Sequence, residues 1–204
     1  MTDTQKKPLW KNELVWLFLL TSGLFAILYS KFILGGYAYV FTDTGADTMQ
    51  INYAQYGLFS SLFRNGESGY VLQAGLGMDV SSYYPAYLIP YNLLILLAPQ
   101  RLLPWAVLAS AYLKMITISL VGYLFYRKLM QDGIGTMAAA LAWTFSGYVI
   151  LWGQHYGFCT CMALFTVFMY FLQCYLNGEQ RWKSAGLVLT VTMLLISSYY
   201  FLYM

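Results

Sequence analysis

Long apolar stretches separated by short polar segments run along most of this chain, and their length predicts membrane-spanning helices. A helix needs about 20 consecutive apolar residues to cross the hydrocarbon core of a bilayer. Only helices and closed barrels can cross lipid with every backbone group hydrogen-bonded, so we expect an all-α membrane protein. The predicted spans, about five in number, are residues 14–34, 104–126, 134–152, 157–176 and 184–204.

One further apolar stretch, residues 86–98, is too short to cross a bilayer and is interrupted by Pro90. Proline removes a helical hydrogen bond and bends or ends a helix. We therefore predict a short re-entrant or interfacial hairpin here. It belongs to one large loop, residues 35–103, on the outer side of the membrane.

The first part of that loop has the pattern of an amphipathic helix from Asp47 to about Arg64. Its Asn, Gln and Ser content favours a helix that lies along the membrane surface rather than across it. The apolar positions recur at helical spacing; they are Ile51, Ala54, Leu58 and Leu62.

The composition excludes a soluble domain. Hydrophobic residues make up 60% of the chain and charged residues only 9%, whereas a soluble domain carries about 25% charged residues to cover its surface. The basic residues form no cluster, so no nucleic-acid partner is expected. Three cysteines without metal-ligand spacing lie in an apolar stretch, where we expect them to act as packing residues; they are Cys159, Cys161 and Cys174.

The distribution of basic residues predicts the orientation in the cell membrane. With five spans and a cytoplasmic N-terminus, most Lys and Arg residues lie on the inner side, as the positive-inside rule requires. A span at 86–98 would move two basic pairs to the outer side, which the rule disfavours. The predicted inner residues are Lys6, Lys7, Lys11, Arg127, Lys128, Arg181 and Lys183.

Two aspartates near the start of the outer loop are the candidate catalytic residues. Asp43 and Asp47 follow the point where the first span leaves the bilayer. Each also has a structural interpretation: Asp43 fits an Asx-turn, and Asp47 fits a helix N-cap with Gln50 at the third helical position. In the functional interpretation one carboxylate is a general base, a role that raises the reaction rate about 10²–10⁴-fold. Both interpretations stay open here.

Two further polar residues stand in mostly apolar surroundings. His155, the only histidine, lies in the short outer loop between the third and fourth spans, where it suits a base, a phosphate contact or a plain interfacial position. Lys114 lies within the second span. It is either a functional intramembrane charge or a long side chain that extends toward the interface.

Several motifs occur together in this chain. The outer loop carries Asp43 and Asp47 with nearby glutamines, then Gly75-Leu76-Gly77 and Tyr84-Pro85, and the last span ends in Ser-Tyr-Tyr-Phe. In this combination the chain resembles the N-terminal part of the YfhO family of bacterial membrane proteins, which look like GT-C-type glycosyltransferases. Family members continue with further spans, and this chain stops at Met204 without a polar flank. We therefore expect it to be part of a longer protein.

The resemblance implies a GT-C-like N-terminal half and a sugar transfer. The donor would be a polyprenyl-phosphate sugar, and the acceptor a cell-envelope polymer of the teichoic-acid type, such as lipoteichoic acid. Asp43 or Asp47 would deprotonate the acceptor hydroxyl. A divalent metal between carboxylate and phosphate is compatible with this chemistry, although we predict no metal ligands. The implied substrate-binding residues, in part cations near the donor phosphate, are Gln50, Arg64, Arg101 and His155.

Two other classes of function stay open. A transporter or flippase component for a lipid-linked substrate would show broken helices and charges near the bilayer midplane, and Lys114 is the candidate charge. A non-catalytic membrane subunit is the third possibility for a chain of this length.

Overall fold

The computed structural model describes residues 12–41, 48–72, 77–81, 84–130, 132–179 and 181–197. This part of the chain is mostly helical, as the sequence predicts. Its α-helices are α1 Glu13–Leu28, α2 Ser30–Ile33, α3 Ala54–Asn65, α4 Tyr84–Tyr87, α5 Pro90–Leu97, α6 Leu103–Leu129, α7 Gly133–Thr144, α8 Gly147–Trp152, α9 Tyr156–Leu176 and α10 Arg181–Ser197. A π-helical segment, Thr48–Tyr53, precedes α3, and a 3₁₀ turn, Gln100–Leu102, precedes α6.

Three helical stretches within the described residues are long and apolar enough to cross a membrane, namely Gln100–Leu129, Gly133–Trp152 and Tyr156–Leu176. They coincide with three of the predicted spans. Helices α1 and α10 are apolar but shorter, and the predicted fifth span runs past Ser197 into residues outside the described part. The total of five spans stays a prediction.

Two of the predicted spans are interrupted helices. The first breaks at Tyr29, between α1 and α2. The third breaks after Thr144, where Ser146 starts a new helix and its hydroxyl accepts a hydrogen bond from the Val149 N–H at 3.5 Å. A serine followed by glycine is a common site for a helix to bend or restart, because serine caps a helix and Gly147 adds backbone freedom.

Helix α6 is the central element, and it packs against α1, α5, α7 and α9. With 27 residues it is about 40 Å long, at 1.5 Å per residue. That exceeds a hydrocarbon core of about 30 Å. Helix α1 attaches to it through polar contacts: Thr21 Oγ1 lies 2.7 Å from Ser119 Oγ, and Ser22 Oγ lies 2.8 Å from the Tyr112 hydroxyl.

A second layer of short elements covers the first half of α6. Helices α3 and α5 pack on each other, and α5 packs on α6. Phe59 is fully buried, and its ring stacks on that of Tyr87 with centroids 4.1 Å apart. A two-stranded antiparallel hairpin, β1 Tyr70–Val71 and β2 Met78–Asp79, follows α3. Helix α5 has eight residues, far fewer than the ~20 needed to cross a bilayer.

The predicted apolar face of the amphipathic helix is wrong in its first part. A helix does follow residue 47, but Ile51 is 48% exposed and Ala54 is exposed, while Tyr56, Phe59 and Leu62 are buried. The cause is the π-helical segment, which fits more residues into each turn than an α-helix does. The buried face therefore shifts relative to the regular α-helical spacing assumed from the sequence.

Charged groups join the helices at the end opposite to the second layer. Glu179, between α9 and α10, forms ion pairs with Lys128 at the end of α6 and with Lys183 in α10. Both ammonium groups also lie within 6 Å of the Tyr170 ring. Near the same end, the Tyr123 hydroxyl donates a hydrogen bond to Glu13 of α1. These contacts connect four helices at the end predicted to be cytoplasmic.

The aromatic contact under α3 yields a stability prediction. Phe59→Ala removes a fully buried ring, and such a change typically costs about 3–5 kcal/mol of unfolding free energy. Phe63, one turn later, is 37% exposed, so Phe63→Ala is the matched control, with an expected cost of about 1 kcal/mol or less. Thermal unfolding of the purified protein in detergent measures both. Equal losses in the two variants would contradict the described packing.

The ion-paired glutamate yields a prediction about pH. Hydrogen bonds from Lys128 and Lys183 lower the pKa of Glu179 from 4.5 to about 2. A carboxylate with a depressed pKa stabilises the fold above its unfolded pKa, and this contribution is lost as pH falls from 4.5 toward 2. Glu179→Gln should therefore lower the Tm at neutral pH and weaken the loss of Tm over that acid range.

Glu67→Gln, in the segment that follows α3, is the control for that experiment. Its carboxylate accepts a hydrogen bond from Asn65 at 3.2 Å. An acid profile of Glu179→Gln identical to that of Glu67→Gln and of the unchanged protein would refute the proposed contribution.

Candidate functional site

A pocket of about 190 Å³ lies where the second layer meets the starting turn of α9 and the far end of α10. We call it the amide pocket, because three carboxamide side chains contribute to its wall. It is lined by Asn52, Gln55, Tyr56, Ala86, Tyr87, Ile89, Asn92, Gly157, Thr160 and Ser197.

Hydrogen bonds from side chains hold the polar wall of the amide pocket in place. The Asn92 amide donates to the Ala86 carbonyl at 3.1 Å, and its oxygen accepts from the Tyr56 hydroxyl at 3.4 Å. The Tyr87 hydroxyl donates to Gln55 Oε1 at 3.3 Å. An amide has two donors and a carbonyl oxygen, so Asn92 and Gln55 keep hydrogen-bonding capacity for a ligand.

Tyr156, the first residue of α9, connects the pocket to the rest of the fold. Its hydroxyl donates to the Tyr39 carbonyl, and its ring stacks on that of Tyr56 with centroids 5.4 Å apart. The Tyr39 hydroxyl in turn donates to the Gly153 carbonyl at 3.1 Å. The segment after α2 is therefore fastened to the loop before α9. Thr48 adds a further contact there, donating to the Gln154 carbonyl at 3.2 Å.

The carbonyl of Tyr156 accepts two further hydrogen bonds. Lys114 Nζ donates to it at 3.1 Å, and Thr160 Oγ1 donates to it at 3.1 Å. Lys114 is 2% exposed, so its amine turns inward onto α9 and does not extend toward the interface. Of the two interpretations of Lys114, the buried amine disagrees with a side chain that extends toward the interface.

Tyr56 illustrates how burial limits the chemistry of the pocket. Its side chain is 7% exposed, and burial raises the pKa of its phenol far above the usual range. A phenol with a raised pKa stays neutral at physiological pH. Tyr56 therefore acts in the pocket as a hydrogen-bonding group and an aromatic surface, and it is unsuited to the role of general base.

The sequence-predicted catalytic residues, Asp43 and Asp47, lie outside the described residues. Asp47 directly precedes Thr48, which begins the helical segment that carries Asn52 to the pocket. Gln50 lies on the same segment and is exposed.

Two predicted cations do not line the amide pocket. Arg64 lies in the last turn of α3, where its guanidinium donates to the Ala98 carbonyl at 3.4 Å, beside the Ser60 hydroxyl at 2.7 Å. That contact ties the end of α5 to α3. Arg101 is exposed on the 3₁₀ turn before α6.

His155 lies next to the pocket wall without lining it. It occupies the N-cap position of α9, two residues before Gly157, and its side chain makes no capping hydrogen bond. Its ring packs between Trp152 and Phe158, with centroid distances of 5.6 and 5.4 Å. The structure thus gives His155 aromatic neighbours at the start of α9.

The residues that line the pocket are not among the site residues predicted from the sequence. Asn52 and Gln55 are three residues apart, which puts them on one helical side, but they looked like ordinary surface residues. Asn92 was a clearer signal: an amide in the middle of the apolar stretch 86–98 needs hydrogen-bond partners. Thr160 and Ser197 belong to distant helices, and only the packing of α9 on α10 brings them to the same pocket.

Within the described part of the chain, no group of three or more His, Cys, Asp or Glu side chains is arranged to hold a metal ion. Cys159, Cys161 and Cys174 are buried thiols without a disulfide, which agrees with their predicted packing role. Comparison of the chain with known protein families, with curated proteins and with solved structures gave no match.

The role of Tyr156 can be tested with a single oxygen. Tyr156→Phe keeps the stacked ring but removes the hydrogen bond to the Tyr39 carbonyl, which should cost about 1 kcal/mol. We expect faster amide hydrogen exchange in segment 36–41, measured by mass spectrometry. Tyr123→Phe, which removes a hydroxyl at the other end of the helices, should leave that segment unchanged. Unaltered exchange in Tyr156→Phe would show that the contact does not fasten the segment.

Proposed function

We propose that this chain forms the N-terminal part of a membrane glycosyltransferase of the GT-C type. It would transfer a sugar from a polyprenyl-phosphate donor to an extracytoplasmic cell-envelope acceptor, such as a teichoic-acid-type polymer. The observation that carries the proposal is the amide pocket, whose wall includes residues of the helical segment that begins directly after Asp47.

The lining of the pocket suits a sugar. Sugar hydroxyls both donate and accept hydrogen bonds, as do the carboxamides of Asn52, Gln55 and Asn92 and the hydroxyl of Thr160. Apolar and aromatic surface with a few placed polar groups is typical of small-molecule sites. Tyr56 and Tyr87 supply aromatic surface, and their T-shaped contact at 5.8 Å holds both rings in fixed positions.

The chemistry requires one carboxylate. Asp43 or Asp47 takes the proton from the acceptor hydroxyl as its oxygen attacks the anomeric carbon. The new glycosidic bond forms while the bond from that carbon to the donor phosphate breaks, and the electron pair leaves with the phosphate. The lipid phosphate is a weak base and needs no general acid. Attack from the face opposite the leaving group inverts the configuration.

Two features support an outer location for the amide pocket. The large loop 35–103 supplies most of its wall, and α9 separates it from the ion pairs of Glu179 with Lys128 and Lys183. A helix of 21 residues is about 30 Å long, which matches the hydrocarbon thickness. The orientation we propose has a cytoplasmic N-terminus and several membrane crossings.

A transporter or flippase component is the alternative function. Two observations favour it: the interruption between α7 and α8 and the buried Lys114. Broken helices and intramembrane charges are typical of secondary transporters. An assay in sealed vesicles that measures lipid-sugar translocation separately from sugar transfer distinguishes the two. Translocation without transfer would favour the alternative.

The catalytic aspartates can be tested by charge removal in the full-length protein. Asp43→Asn and Asp47→Asn should leave insertion intact, and at least one of them should lower sugar incorporation by about 10²–10⁴-fold because the general base is lost. Asp79→Asn in the same loop is the control, since its carboxylate accepts local hydrogen bonds from Ser81 at 2.7 and 3.0 Å. Undiminished incorporation in both single variants and in their double variant would reject the aspartates as the general base and with them the proposed mechanism.

A further inference from the structure

Lys114 is a buried cation whose charge has no described counterion. Its side chain is 2% exposed in the middle of α6. Glu179 forms ion pairs elsewhere, with Lys128 and Lys183. A buried charge is costly unless it is paired and hydrogen-bonded. A negative group placed near this amine would therefore stabilise it.

The hydrogen bonds of the amine are also incomplete. A protonated lysine has three N–H donors, and among the described residues Lys114 Nζ has one acceptor, the Tyr156 carbonyl. One turn earlier on the same side of α6, Ser110 Oγ is fully buried and lacks a hydrogen-bond partner among the described residues. Polar groups at this depth normally find partners.

The amine lies close to the amide pocket. The carbonyl that accepts from Lys114 also accepts from Thr160 Oγ1, and Thr160 lines the pocket together with Gly157, the residue after Tyr156. The Lys114 amine is thus within two hydrogen-bond lengths of a pocket hydroxyl. Its positive charge acts at short range on whatever occupies the pocket.

The other described cations near this region are placed differently. Arg64 donates to the Ala98 carbonyl, and Arg101 and Lys31 are exposed. None of the three lines the amide pocket. Helix α9 adds to the positive potential of Lys114. It begins at Tyr156 beside the pocket, and the N-terminal end of a helix is the positive end of its dipole.

We propose that the amide pocket binds a phosphate group and that Lys114 supplies the positive charge that selects it. The inference rests on the proposed function, since it identifies the phosphate with that of the glycosyl donor or of the released lipid phosphate. The cation beside the site is therefore Lys114, and not Arg64 or Arg101 as predicted from the sequence. A neutral ligand in the same pocket would leave the charge uncompensated.

The test is binding to the full chain in detergent, which requires no sugar transfer. The probes are farnesyl phosphate, the uncharged alcohol farnesol, and inorganic phosphate, each measured by microscale thermophoresis. Farnesyl phosphate should bind more tightly than farnesol. Binding of inorganic phosphate at comparable affinity would assign the site to the phosphate itself, whereas much weaker binding would show that the lipid chain is recognised too. Both results support a phosphate site.

Three variants identify the charge. Lys114→Met should raise the Kd for farnesyl phosphate by about 10–100-fold, the effect expected for a buried charge several ångströms away, and should leave the Kd for farnesol unchanged. Lys114→Arg keeps the charge and should retain most of the affinity. Lys31→Met makes the same chemical change at an exposed site and should have no effect.

Two outcomes overturn the proposal: equal affinity of the unchanged protein for farnesol and farnesyl phosphate, or an unchanged Kd in Lys114→Met. The first needs no variant, so it decides the question even if Lys114→Met does not fold. Phosphate binding by a full-length protein that transfers no sugar would reject the glycosyltransferase while keeping the phosphate site. Equal affinity for farnesol and farnesyl phosphate, together with sugar transfer that is lost in an aspartate variant, would reject the phosphate site while keeping the glycosyltransferase.

Discussion

Tyr156 connects parts of the chain that lie far apart in sequence, and the candidate site exists only where they meet. Its carbonyl accepts from Lys114 of α6, its hydroxyl donates to the Tyr39 carbonyl, and its ring stacks on Tyr56 of α3. The first turn of α9 therefore fixes the second layer, through α3, to the long central helix. These contacts add to the packing of α3 on α5 and of α5 and α9 on α6, which together hold the pocket wall.

The positions of the long helices could be predicted because apolar length is a local property of the chain. The boundaries of α6 and α9 lie within three residues of the predicted spans. The buried face before α3 could not be predicted, since the π-helical segment changes the angular spacing and exposes Ile51. The amide pocket was also hidden, because its residues come from helices distant in sequence. Asn92, an amide within an apolar stretch, was its one local sign.

Two sets of charged groups in the described chain have different surroundings. At one end Glu179 pairs with two lysines, and its pKa is lowered by their hydrogen bonds. In the middle of α6, Lys114 is buried against the first turn of α9 without a described carboxylate partner. The first arrangement is complete within the protein and stabilises the fold. The second is incomplete, and an incomplete buried charge next to a pocket is a characteristic feature of a ligand site.

The central claim is that the amide pocket holds a polyprenyl-phosphate ligand, and photo-crosslinking tests it most directly. A photoreactive polyprenyl-phosphate analogue is bound to the full-length protein in lipid nanodiscs, and the modified residues are mapped by mass spectrometry. We predict modification within segments 52–56, 86–92 and 157–160, suppressed by excess farnesyl phosphate. Modification confined to the lipid-exposed side of α1, and unaffected by the competitor, would contradict the claim.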